Sequence, residues 1–378
     1  MTQGSIIGNI TTFSLPYMLA YFLQILYGLA DLFVIGQYCG VDSTTAVSNG
    51  AQVMYMVTVV LIGLAMGTTV LTARAIGAKD PERTRAVVGN TVTMFAIIAV
   101  VLMVVLLCLR GWIVGVMDTP AEALNGMEHY LTICFIGIPF IIAYNIIASI
   151  FRGLGDSKSP MYFVAVACVV NIILDYFFIG VLELGAMGAA LGTTLSQAAS
   201  VLFALCYIRR HKGMLDISRS DLRPQRDVIK LILKIGLPIA IQDGFIQISF
   251  LAITVIANGR GLVDAAAVGI VEKFIGLVFI VPSAMLSTVS AISAQNIGAN
   301  KMPRAKQTLR TAMLITSVYG LVVSITLQFI PQVAVGLFTS DSQVLAQGSD
   351  YLRGYVWDAY LPVSISVLAV SSRLVVMP

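Results

Sequence analysis

The chain has 378 residues, of which 58% are hydrophobic and 11% charged, with a net charge of +4 and a mean hydropathy of +0.91. Soluble domains carry about 25% charged residues, so a chain this poor in charge could not cover its own surface with polar groups. That excludes a soluble enzyme, a nucleic-acid-binding domain and a disordered regulator, and leaves an all-α polytopic membrane protein.

A spanning helix needs about 20 mostly apolar residues. Uncharged runs, divided at turn residues, predict ten spans: 10–39, 46–73, 87–112, 129–151, 160–182, 186–208, 229–257, 265–293, 311–331 and 345–372. Residues 1–9 hold no basic region, and the apolar run after them is long and lacks a cleavage site, so it reads as a first spanning helix rather than a signal peptide. Pro16 and Pro238 fall inside helices 1 and 7 and should kink them. Gly36/Gly40, Gly63/Gly67 and Gly188/Gly192 have the spacing of close helix packing. Gly153 and Gly155 are expected to close helix 4, and Ser159-Pro160 reads as the cap and first residue of helix 5. Cys39, Cys108, Cys134, Cys168 and Cys206 lie in or beside apolar runs and read as small hydrophobes. His129 and His211 are too far apart to imply a zinc centre. The stretch Gly153–Ser159 lacks the ending of a phosphate loop.

The basic residues set the orientation. Nineteen of the 23 fall on one side by parity, chiefly in 74–85, 209–234 and 301–310, whereas Arg110, Arg260 and Arg353 fall on the other. Lys273 lies within a helix. This bias places both termini in the cytoplasm, with the chain in the cell (inner) membrane.

The sequence also matches itself at an offset of about 221. Leu15-Pro16 recurs as Leu237-Pro238, Ala46-Val47 as Ala267-Val268, Ile76-Gly77-Ala78 as Ile297-Gly298-Ala299, and Tyr130-Leu131 as Tyr351-Leu352. Two six-helix-bundle repeats in parallel orientation follow. The division is 1–208 for the N-terminal bundle, 209–228 for a cytoplasmic linker and 229–378 for an incomplete C-terminal bundle of helices 7–10. The last two helices of the second copy have no counterpart here.

Ionisable residues deep in a span are costly and are functional candidates by default. Asp31 in helix 1, Asp175 in helix 5 and Thr193 in helix 6 all fall about 10–12 Å in from the outer face at 1.5 Å per residue. Asn171 lies one turn from Asp175 on the same face. Two carboxylates, an amide and a hydroxyl suit a proton or Na⁺, because these are hard oxygen ligands that share charge. Asp243, Gln247 and Asp358 form a candidate second cluster for substrate or coupling in the C-terminal half. Glu272 and Lys273 are expected to neutralise one another or find other partners.

The stretches Phe151–Pro160, Asn171–Asp175, Gly188–Thr193, Leu29–Gly36, Gly236–Pro238 and Gln295–Ala299 resemble the multidrug and toxic compound extrusion (MATE) family over the whole chain. That resemblance implies two six-helix bundles around a V-shaped cleft. It implies export of small organic, often cationic, drug-like compounds in exchange for H⁺ or Na⁺. The chain is expected to act as a monomer in the lipid bilayer, without a cofactor or nucleic acid. The resemblance places the coupling site, and a metal site if the ion is Na⁺, at Asp31, Asn171, Asp175 and Thr193, and the helix-1 bend at Pro16. The sequence departs from the branch with a glutamate in helix 7, where Ile246 stands beside Gln247. A lipid-linked oligosaccharide flippase of the same superfamily would favour a strongly cationic cleft, and Lys273 is the one deep cation predicted. A membrane prenyl transferase would need paired acidic metal motifs near the cytoplasmic face, and none occurs.

Overall fold

The structure, a computed structural model, describes residues 1–117, 119–211, 218–339 and 341–357. Among the described residues the regular structure is helical throughout. The helices are α1 (Ile6–Tyr38), α2 (Val41–Gly77), α3 (Pro81–Val116), α4 (Ala121–Leu154), α5 (Lys158–Asp175), α6 (Gly185–Arg210), α7 (Arg226–Arg260), α8 (Leu262–Val278), α9 (Ile280–Gly298), α10 (Met302–Phe329) and α11 (Pro331–Gly336). A last helix, α12, covers 342–357. Nine segments of the described residues are long and apolar enough to cross a membrane, and they correspond to the first nine predicted spans, three of which run one or two residues past them, at 39, 182 and 330–331. The tenth, 345–372, is helical as far as 357 and otherwise lies outside the described residues.

Three local expectations are corrected. The fifth helix starts at Lys158, not Pro160, because the Asp156 carboxylate caps it by accepting from the backbone N–H groups of Lys158 (2.9 Å) and Ser159 (3.0 Å). Gly153 lies within α4, where a Cβ would come within 2.9 Å of the Thr69 carbonyl of α2. Gly155 alone ends α4, at φ +94°. The predicted span 265–293 is broken into α8 and α9 at Phe279. Pro282 has no N–H to donate to the Val278 carbonyl four residues back, and Tyr319 of α10 donates its hydroxyl to that carbonyl instead, at 3.0 Å.

Cα packing divides the chain into two compact units. One is Leu19–Asp243, and the other combines Met1–Met18 with the residues from Gly244 onward. The dividing points fall inside α1 and α7, which run through Pro16 and Pro238 as helices.

Within the first unit, α2 packs against α4, α4 against α6, and α5 against α6. Lipid tails are as apolar as leucine, so close approach and hydrogen bonds carry helix association here. Thr69 donates to the Ser149 carbonyl (3.1 Å), Ser200 donates to the Phe163 carbonyl (2.7 Å), and the Thr68 and Thr91 hydroxyls share a bond of 3.1 Å. Of the three glycine pairs, Gly63/Gly67 and Gly188/Gly192 sit against neighbouring chain. A Cβ on Gly63 would come within 2.9 Å of the Ala240 Cα of α7, and one on Gly67 would overlap the Ile232 carbonyl. Gly36 faces open space, and at Gly40 a Cβ would meet only the side chain of Asp42.

In the second unit, Ile10 and Phe13 pack with Met285, Val289 and Ile292. Thr254 of α7 donates to Glu272 of α8 at 3.4 Å, so this acid finds a partner other than Lys273. The internal repeat reaches the helix ends. Val41 and Leu262, Pro81 and Met302, Ala121 and position 342 open corresponding helices. Ala78 and Ala299 cap α2 and α9, each with its N–H on the carbonyl four residues back, and are followed by Lys79 and Asn300, both at φ 57°.

Candidate functional site

The site lies in the first unit, where α1, α5 and α6 converge with α4 beside them. Asp31 is 7% exposed, and Asn171 and Asp175 are fully buried. Thr193 donates its hydroxyl to Asp31 Oδ2 at 3.2 Å. Asn171 Nδ2 faces Asp175 Oδ1 at 3.5 Å, one turn away on the same helix. Gly192 and Thr193, adjacent on α6, lie against Asp175 and Asp31 respectively, which brings the two carboxyl groups into one neighbourhood. The four residues singled out in the sequence therefore meet at one place. Asp175 is the last residue of α5, and the helix continues as a single π turn over Tyr176–Val181. Such turns recur at functional sites because they re-aim side chains on either side.

The polar neighbourhood is larger than the sequence indicated. Tyr27, one turn before Asp31, lies near Gln197, one turn after Thr193. On α4, Cys134 lies near Tyr130 and, across to α6, near Thr194. The signal for Tyr27 and Gln197 was the i, i+4 rule applied outward from Asp31 and Thr193. Tyr130 and Cys134 carry no such signal, since each reads as an ordinary core residue.

Asp31 Oδ1, Asn171 Oδ1, Asp175 Oδ2 and Gln197 Oε1 are buried and have no hydrogen-bond donor among the described residues. Leaving buried acceptors unsatisfied costs free energy, and two carboxylates side by side add mutual repulsion. A cation relieves both, and carboxylate, amide and hydroxyl oxygens are the donor set of a hard cation or of a shared proton. The site residues therefore fit Na⁺ as well as H⁺.

Of the second candidate cluster, Asp243 and Gln247 stand one turn apart on α7. Asp243, read from the sequence as part of the C-terminal half, packs in the first unit. Its Oδ2 lies 3.0 Å from where a Cβ on Gly63 of α2 would stand, so the glycine makes room for it. Gln247 belongs to the other unit, where it is half-buried. Asp358 lies outside the described residues. All five cysteines are free thiols. Among the described residues no group of three or more His, Cys, Asp and Glu could hold a metal ion.

The MatE family model matches the chain twice, over residues 16–177 and 238–371. The chain belongs to the MatE family. The two matched blocks open on Pro16 and Pro238, the same prolines that mark the internal repeat. Among MatE relatives, the chain is 29% identical to "Probable multidrug resistance protein YoeA" of Bacillus subtilis (strain 168), with 98% of this chain and 82% of that protein covered. It is 26% identical to "Multidrug export protein MepA" of Staphylococcus aureus (strain MSSA476), over 90% of this chain and 75% of MepA. A solved outward-facing structure of a multidrug resistance MATE family transporter of the MOP superfamily superposes with a TM-score of 0.88 at 24% identity, covering 99% of this chain and 84% of that one. A MOP superfamily transporter from Pyrococcus furiosus gives 0.83, also at 24%, over 100% and 87%. The MatE chain is thus a multi-pass helical membrane protein of a transporter family, and its named relatives are multidrug transporters rather than enzymes.

Proposed function

We propose that this MatE chain is a secondary active antiporter that exports small organic, often cationic, compounds in exchange for H⁺ or Na⁺. The carrying observation is the meeting of Asp31, Asn171, Asp175 and Thr193 in one buried site with acceptor oxygens to spare. Exchange requires that cation and drug oppose one another energetically. With both carboxylates ionised the site is negative and attracts a cationic drug. A proton or Na⁺ bound between them halves that charge and weakens the drug's hold, so the drug leaves on the outer side. Asp31 and Asp175 supply charge, Asn171 and Thr193 orient them, and Pro16 makes α1 cheap to bend because one backbone hydrogen bond is already absent. Asp243 and Gln247, one turn apart on α7, fit contact with the drug. The 19 basic residues on one side support cytoplasmic termini in the cell membrane.

The test is drug efflux from proteoliposomes with pH and Na⁺ gradients imposed separately. Asp31→Asn and Asp175→Asn should each abolish cation-driven efflux while the protein still inserts. Normal gradient-driven efflux from the double variant refutes this mechanism.

A further inference from the structure

Gly192 stands on α6 one residue before Thr193. A Cβ there would overlap Asp175 Oδ1 and lie 3.3 Å from its Cγ and 3.6 Å from its backbone nitrogen. The contact differs in kind from that of Gly188, one turn earlier, whose nearest neighbours are backbone atoms of Phe178 at 3.1 Å. At Gly188 the glycine admits a helix. At Gly192 it admits a carboxylate. Asp175 is fully buried and short, and its Oδ1 also faces Asn171 Nδ2 at 3.5 Å. A shift of that oxygen away from position 192 would alter the contact with Asn171 and the approach to Asp31. A glycine within a helix also costs stability relative to alanine, so this position gives up helix propensity where the site needs space.

We propose that Gly192 is a positioning residue for cation exchange: its missing side chain leaves the room in which the Asp175 carboxylate turns toward Asp31. Thr193 then fixes Asp31 from the adjacent position on the same helix, so two consecutive residues of α6 set the two acids, one by absence and one by a hydrogen bond. The proposal rests on the coupling role given above to Asp31 and Asp175.

The experiment uses the full chain in proteoliposomes with ethidium as the exported probe and with the cation that drives the wild type titrated. Gly192→Ala should raise the half-saturating cation concentration by about 10–100-fold, the scale seen when the supports of a metal ligand are altered. A double-variant cycle separates this from simple packing. Gly192→Ala should lower the thermal midpoint in the wild-type background and leave it unchanged or raised in an Asp175→Ala background, where no carboxylate is displaced and the better helix propensity of alanine remains. If Gly192→Ala alone does not insert but the double variant does, the displaced carboxylate is again the cause. A wild-type cation titration for Gly192→Ala, an equal loss of thermal midpoint in both backgrounds, or failure of both to insert overturns the proposal. If Asp175→Ala itself keeps wild-type coupling, the coupling reading falls first, and that outcome is read without Gly192.

Discussion

Thr193 shows how much of the site depends on one hydroxyl. It donates to Asp31 Oδ2 at 3.2 Å, and Asp31 Oδ1 has no donor among the described residues. Hydrogen bonds to charged groups contribute about 1.5–3 kcal/mol, so their loss changes an equilibrium by tenfold or more. Thr193→Ala should therefore shift the half-saturating cation concentration by about tenfold, whereas Thr193→Ser, which keeps the hydroxyl, should stay within about twofold. A Ser variant as impaired as the Ala variant would mean that the methyl group, not the hydroxyl, matters. The four residues Asp31, Asn171, Asp175 and Thr193 were legible in the sequence because depth in a membrane helix can be counted, and a charge at that depth is rare. Tyr27 and Gln197 were one helical turn from being read. Cys134 and Tyr130 were not legible, because a cysteine or tyrosine in an apolar run looks the same whether or not it faces a polar site. The placement of Asp243 beside Gly63 is a tertiary fact with no local trace.

Among the elements, the spans were read well from apolar run length, but the breaks within them were not. The sequence puts Pro282 inside an uninterrupted apolar run, and hydropathy is blind to a missing N–H. The structure ends α8 four residues before that proline and caps the freed Val278 carbonyl with Tyr319. Tyr319→Phe should leave that carbonyl without a partner and cost about 1–3 kcal/mol, seen as a lower thermal midpoint in detergent. Pro282→Ala restores a donor at position 282. In that background Tyr319→Phe should cost much less. Equal costs in both backgrounds would show that the tyrosine hydroxyl does not serve the carbonyl. The glycine pairs show the same limit. Spacing marked three of them, yet only Gly63/Gly67 and Gly188/Gly192 meet neighbouring chain, because spacing says that a face is smooth and not that anything lies against it.

For the whole molecule, the repeat at an offset of 221 was the most legible feature, and the starts of α8, α10 and α12 keep it. The packing division inside α1 and α7 was not legible, since composition changes at the linker 209–228 and not at Met18 or Asp243. Orientation is testable in a cysteine-less background. A single cysteine at Lys79 or Lys301 should react with a membrane-impermeant maleimide only after the cytoplasmic side is opened, and one at Arg260 should react in intact cells. The reverse pattern would invert the topology. The proline break has a mechanical side as well. A helix with its full ladder of backbone bonds resists bending along its length and carries a displacement at one end to the other. The first copy has such a rod in α2, which runs unbroken from Val41 to Gly77 with Leu61 where the second copy has Pro282. The second copy is two shorter rods, α8 and α9, joined at Phe279. A duplicated chain thus contains one stiff lever and one articulated at a set point, and equal pushes on the two will not travel equally far.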